Sequence, residues 1–289
     1  MEAIGRVECA LVEALALADG VEAPPKLVSA MRHAVLPGGA RIRPKLCLAV
    51  AMACGDDTPK LADAAAAAIE LLHCASLVHD DLPCFDNAGM RRGKPSVHAA
   101  FGERLAVLAG DALIVLAFQA LARAECATPQ RLATVLTTLA RAVGAPGGIA
   151  AGQAWECEAR VSLSQYQRAK TGSLFVAATV AGAQAAGSDP RPWRTLGERL
   201  GEAYQVADDI RDVLADAETL GKPSGRDAQL GRPSAAAELG LGGAIEYFDA
   251  LITGAIDAVP AVPGAAQFSQ LIHREAQRLL PKDLVSLAA

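Results

Sequence analysis

Two long runs of helix-forming residues, 60–82 and 192–216, each end in a cluster of aspartates. A run past about 20 residues makes a helix of about 30 Å at 1.5 Å per residue. Aspartate is a modest helix former, so its place in a mostly apolar run needs a reason. The rest of the chain repeats the same building block. Helices are expected over 3–19, 26–35, 41–54, 60–82, 96–122, 129–144, 148–159, 163–186, 192–216, 233–240, 242–257 and 265–280. Turn chemistry falls between them, at Pro24-Pro25, Pro37-Gly38-Gly39, Gly55-Asp56-Asp57, Gly144 to Gly148, Gly187 to Pro190 and Gly221 to Gly225. No stretch sustains the polar/apolar alternation of a strand. No linker rich in Gly, Ser or charge divides the chain. The expected fold is all-α, a single domain over 1–289 built as a bundle of long antiparallel helices around a central apolar cavity.

In the second cluster, Asp208-Asp209-Ile-Arg-Asp212, residues 208 and 212 share a helix face. Two carboxylates ~4 Å apart repel by about 4 kcal/mol at an effective dielectric of about 20. Either one takes a proton or a cation sits between them. Oxygen-only ligands select a hard ion, and few protein ligands completed by phosphate oxygens is the Mg²⁺ pattern. In the first cluster, His79-Asp80-Asp81-Leu-Pro-Cys-Phe-Asp86, residues 80 and 86 would point about 120° apart on a regular helix. Pro83 cannot continue that helix, so the chain is expected to loosen and swing Asp86 back towards Asp80. One such cluster reads almost as well as a solvated helix end. Two, each closing an apolar helix, do not.

Basic groups beside glycine turns answer the acids: Arg41 and Arg43 after Gly38-Gly39, Arg91-Arg92-Gly93-Lys94, Lys170-Thr171-Gly172, Lys222 to Arg226 and Gly231-Arg232. Arg forks and Lys point charges of this kind suit diphosphates. Lys94 and Arg226 read more simply as surface charge. The formal net charge of −5 gives the chain no basic footprint for nucleic acid. Seven scattered cysteines without a CxxC pair favour a reducing compartment over a disulfide framework. The N-terminus lacks signal-peptide character, and no window reaches 18 uninterrupted apolar residues. A cytoplasmic chain without a membrane span is expected.

Taken with Ser96 and His98, the stretch from His79 to Gly93 resembles the first Asp-rich motif of trans-prenyl diphosphate synthases, and Tyr204 to Asp212 resembles the second. Gly38-Gly39-x-Arg41-x-Arg43-Pro44, Gly152-Gln153, Lys170-Thr171-Gly172 and Gly221-Lys222 follow in the family's order. The similarity spans about residues 30–240. The first motif is most like that of geranylgeranyl diphosphate synthases of bacterial carotenoid pathways.

The resemblance implies an isoprenoid synthase class I fold, a homodimer and Mg²⁺-dependent head-to-tail prenyl transfer. Isopentenyl diphosphate would add to an allylic diphosphate. Asp80, Asp86 and Asp208 would hold up to three Mg²⁺, supported by Asp81, Asp209 and Asp212. Arg91, Lys170 and Lys222 would hold the allylic diphosphate, and Arg43, His73 and Arg92 isopentenyl diphosphate. Thr171 and Gln205 would turn oxygen dipoles on the allylic cation, and the released diphosphate would take the proton. Three departures stand out. Ala40 replaces a usual Lys, which removes one contact to isopentenyl diphosphate. Arg232 replaces a Lys, keeping its charge, and Glu156 replaces an Asp.

The growing tail is expected to run back along the helix of Asp80. Ser76 and Ala75, four and five residues before it, are small where farnesyl-making relatives carry a bulky aromatic. Leu72, one turn deeper, is the candidate floor. A C20 product follows, with C15 as the alternative; the bland reading of Ala75 is a packing alanine. A class I terpene cyclase would normally lack the second aspartate motif. A non-catalytic partner subunit would tend to lose that motif or the arginines. A plain helical scaffold would explain neither.

Overall fold

The computed structural model describes residues 2–159, 162–214 and 234–280. The helices are α1 (Ala3–Ala16), α2 (Pro25–Val35), α3 (Ile42–Ala53), α4 (Pro59–Asp80), α5 (Val97–Phe101), α6 (Glu103–Ala122), α7 (Pro129–Val143), α8 (Ile149–Ala154), α9 (Leu163–Gln167), α10 (Ser173–Ala185), α11 (Arg191–Leu214), α12 (Ala235–Asp257) and α13 (Ala265–Leu279). Proline opens α2, α4 and α7, where its missing N–H has no helical partner to lose. Short connections return α4 along α3 and α11 along α10, and α4 lies at the centre against α1, α3, α6 and α10. Nearly all the buried apolar residues from Val7 to Leu280 form one connected core.

Small residues let these helices approach closely. A Cβ on Gly182 of α10 would lie 2.3 Å from the Cys47 carbonyl of α3, and one on Gly110 of α6 would lie 2.1 Å from the His79 ring. The second contact brings α6 against the end of α4, beside Asp80.

The all-helical expectation holds, with local differences. The run 96–122 breaks at Gly102, whose φ of 87° only glycine adopts readily. The run 163–186 contains a π-helical turn, Arg168–Gly172. Gly240 (φ 69°, ψ 167°) kinks α12 where two helices were expected. A two-stranded hairpin, β1 (Met90–Arg91) and β2 (Lys94–Pro95), was not anticipated. Two residues per strand are too few to show alternation, but Arg92-Gly93 with φ of 53° and 75° has the sign of a type I′ turn.

Three of the helices are long and strongly apolar. By length and composition alone α4, α6 and α12 could each cross a membrane, with mean hydropathy of 1.6, 2.1 and 1.2. Scattered charged residues interrupt their apolar runs without lowering the mean much. The apolar window of α4 is 72% buried inside the fold, whereas that of α6 is only 39% buried.

Candidate active site

The first aspartate motif begins where α4 ends, at Asp80. The chain then doubles back, as the placement of Pro83 leads one to expect. The Asp86 amide donates to the Asp80 carbonyl (2.9 Å) and the Ala88 amide to the Asp81 carbonyl (3.1 Å). The Asp80 carboxylate accepts from Gln153 Nε2 (3.0 Å) and pairs with Lys170 Nζ (3.4 Å). Burial pushes the Asp80 carboxyl up. Lys170 and Gln153 pull it down, and Asp86 and Glu156 add to the rise. Asp81 is buried and receives the Arg91 fork, through Nε at 3.0 Å and through Nη2. That pair ties the hairpin to the end of α4.

The π-helical turn then joins the two motifs. Lys170 reaches Asp80 and also Glu156 (2.7 Å), which accepts from the Tyr166 hydroxyl (2.6 Å). Burial alone would lower the Lys170 ammonium, but Asp80, Tyr166 and Glu156 outweigh it and raise it above its usual value. The next residue faces the other motif, for the Thr171 hydroxyl donates to Gln205 Oε1 (3.0 Å). Gln205 Nε2 donates in turn to Asp209 Oδ1 (2.9 Å), and the Ala235 amide donates to Asp209 Oδ2 (2.8 Å). Asp209 thus orients the Gln205 amide and caps the start of α12. Asp208 is half-buried and accepts from Arg211 one turn on (3.0 Å).

Beside this bridge lies a cation pocket. Arg43 is 8% exposed, and its Nε has no hydrogen-bond partner. Its guanidinium sits 4.6 Å from the Phe175 ring centre and 5.3 Å from that of Tyr204, and Nη1 lies 3.4 Å from His73 Nε2. Burial pulls the guanidinium below its usual value. Arg92 adds to that, while Tyr204, Glu70 and Asp208 oppose it. A buried cation stacked on aromatic faces, with no carboxylate paired to it among the described residues, is suited to an anionic ligand.

The sequence model of the polyprenyl synthetase family matches residues 24–246. The chain belongs to the polyprenyl synthetase family. It is 55% identical over 281 residues to a geranylgeranyl diphosphate synthase of Cereibacter sphaeroides, covering 97% of this chain and 98% of the relative. A Rhodobacter capsulatus protein of the same name is 50% identical, covering 95% of each chain. Among solved structures, a Helicobacter pylori geranyltransferase complexed with magnesium and isoprenyl diphosphate superposes with a TM-score of 0.83. It is 30% identical, and the match covers 96% of each chain. The protein is a prenyltransferase of the isoprenoid synthase fold.

In this polyprenyl synthetase, the remaining expected site residues fall into three groups. Lys222 and Arg232 lie outside the described residues. Ala75 and Leu72 are wholly inside the core, 0% and 1% exposed. Ser76 donates to the His73 carbonyl (2.8 Å), and its own carbonyl accepts from Gln153 (3.1 Å). Sequence reasoning undervalued two residues. Lys94, read as surface charge, donates to the His33 and Leu36 carbonyls (2.8 Å for the latter) and so staples the hairpin to the end of α2. Gln153, in sequence merely half of a Gly-Gln pair, bonds both the Asp80 side chain and the α4 backbone.

His73 provides a pH prediction. Burial, with Arg43, Arg92, Arg91 and Arg41 adding, holds its pKa well below the usual value of about 6.5. The folded state then binds fewer protons than the unfolded one. Stability present above about pH 6.5 is therefore lost as pH falls towards the folded pKa, by at most about 1.4 kcal/mol per pH unit. Thermal melts between pH 5 and 8 should show this loss, and His73→Gln should flatten it. An unchanged slope in the variant would assign the loss to another group.

Proposed function

We propose that this polyprenyl synthetase condenses isopentenyl diphosphate with allylic diphosphates head to tail and releases geranylgeranyl diphosphate. The observation that carries this reading is the bridge at Lys170-Thr171. Adjacent residues reach Asp80 of one aspartate motif and Gln205 of the other, so both motifs serve one site. The C20 product rests on the names of the two bacterial relatives and on the small side chains at Ala75 and Ser76.

The donor set fits Mg²⁺ in kind, since Asp80, Asp86, Asp208 and Asp212 offer only carboxylate oxygen. Among the described residues no three His, Cys, Asp or Glu side chains stand close enough to share one ion. Diphosphate oxygens would therefore complete the coordination of up to three Mg²⁺. When bound, the ions supply Lewis-acid stabilisation of the departing diphosphate. Asp80, Asp86 and Asp208 are the proposed ligands, with Asp212 and Asp81 in support. Asp209, included with them on sequence, is better accounted for as the residue that orients Gln205, because both its oxygens already accept.

Lys170, with Arg91, would hold the allylic diphosphate, and Arg43, His73 and Arg92 that of isopentenyl diphosphate. Thr171 and Gln205 would direct oxygen lone pairs at the allylic cation. The aromatic faces of Phe175 and Tyr204 would help exclude water that would quench it. The decisive experiment supplies isopentenyl diphosphate, labelled primers of five, ten and fifteen carbons, and Mg²⁺. Chromatography of the dephosphorylated products should give C20 from each primer. C15 as the end product would correct the chain length, and no elongation would end the proposal.

We also propose a cytoplasmic, single-domain homodimer. All seven cysteines are free, as in a reducing compartment. On α6, Val107, Leu108 and Val115 are 42%, 52% and 66% exposed, an apolar face that a second copy would cover. Light scattering should report a dimer, and Val115→Glu should yield monomers. A monomeric parent protein would refute the assembly.

A further inference from the structure

Glu70 lies on α4 ten residues before Asp80 and is 1% exposed. Its Oε1 is approached by Arg41 Nη1 (2.6 Å), Arg92 Nη2 (3.5 Å) and the Cys74 thiol (3.8 Å). Arg41 is further clamped by Glu8 (2.8 Å) and the Val35 carbonyl (2.8 Å). Arg92 crosses Gly39 so closely that a Cβ there would be 2.8 Å from its Nε. Four non-glycine residues of the described chain have positive φ, and two of them are these arginines, at 51° and 53°. Such backbone persists only where its surroundings hold it, and it gathers at functional sites. A carboxylate this deep is costly unless paired. Here one carboxylate pairs with two arginines from two different loops.

We propose that Glu70 is a positioning residue of the isopentenyl diphosphate half-site. Through Arg41, which precedes α3, it sets the start of the helix that carries Arg43, and through Arg92 it sets the hairpin, so that Arg43 and Arg92 face a single diphosphate. The proposal rests on the assignment of Arg92 to that diphosphate. The sign of the effect separates positioning from bulk electrostatics. A carboxylate acting only through its charge would repel the substrate, and removing it would lower the KM. A carboxylate that holds Arg92 in place would raise the KM when removed.

Glu70→Gln keeps the size and one acceptor oxygen but removes the charge. It should raise the KM for isopentenyl diphosphate about tenfold while leaving kcat and the KM for the allylic primer within about twofold. In an Arg92→Gln background it should add clearly less than it does in the parent, because only the branch through Arg41 is left to lose, the non-additivity expected when one residue acts partly through another. Glu70→Asp, which keeps the charge on a shorter stem, should fall between parent and Gln variant, and serves if the Gln variant does not fold. Three results would overturn the proposal: a lowered KM, an effect additive with Arg92→Gln, or equal rises in both KM values. If Arg92→Gln alone leaves the KM for isopentenyl diphosphate unchanged, the assignment of Arg92 fails, and this proposal fails with it.

Discussion

Asp80→Asn should lower turnover by about a thousandfold and leave the protein at least as stable as its parent. The side chain is 7% exposed and meets Gln153 and Lys170, so the isosteric amide fits without a cavity. What disappears is a negative charge placed in a poorly solvated setting, which costs stability as long as it is ionised. Losing one group that stabilises developing charge typically costs about 10²–10³ in rate, and losing a metal ligand costs at least as much. Single-turnover rates with a fifteen-carbon primer, read beside a thermal melt, separate the two quantities. Near-parental turnover, or turnover indifferent to EDTA, would remove Asp80 from the chemistry.

Ala75→Tyr should move the dominant product from C20 to C15. On α4 this residue lies five before Asp80, with Leu72 beneath it, and both are fully inside the protein. A phenol ring there has two possible fates. If the tail runs along α4, the ring occupies its path and stops growth one unit short, with little loss of stability. If the site is ordinary core, the added volume forces neighbours off their rotamers and costs about 1–3 kcal/mol without changing chain length. Mass spectrometry of the products, paired with urea titration, tells these apart. A destabilised enzyme still making C20 would show Ala75 to be a packing residue.

Much of the fold is legible in the sequence because its signals are local. Prolines at 25, 59 and 129 mark helix starts, and the long alanine-rich run 60–82 could be little else than a central helix. Pro83 announces that α4 cannot continue, and the return of Asp86 over Asp80 is then held by local backbone hydrogen bonds. What stayed hidden depends on long-range contact. Lys94 caps a helix about sixty residues earlier, and nothing in Gly93-Lys94-Pro95 announces it. Glu70 is indistinguishable from any acid in an alanine-rich helix until Arg41 and Arg92 converge on it. Asp209 reads as one of three equivalent aspartates. Only the approach of the Ala235 amide, 26 residues on, gives it separate work. The high average hydropathy of α6 is hidden in the sequence for a different reason, since charged residues interrupt the apolar run.

The π-helical turn at Arg168–Gly172 also restricts how this protein can evolve. A π turn holds one residue more than the α-helical turn it replaces. Removing any single residue from it would restore regular winding and keep the flanking segments in phase, but it would shift the residues inside the turn to new angular positions. Lys170 and Thr171 could then no longer address opposite walls together. Insertions and deletions that a surface loop would absorb should therefore be absent from this five-residue stretch, whose length is constrained as tightly as its lysine and threonine.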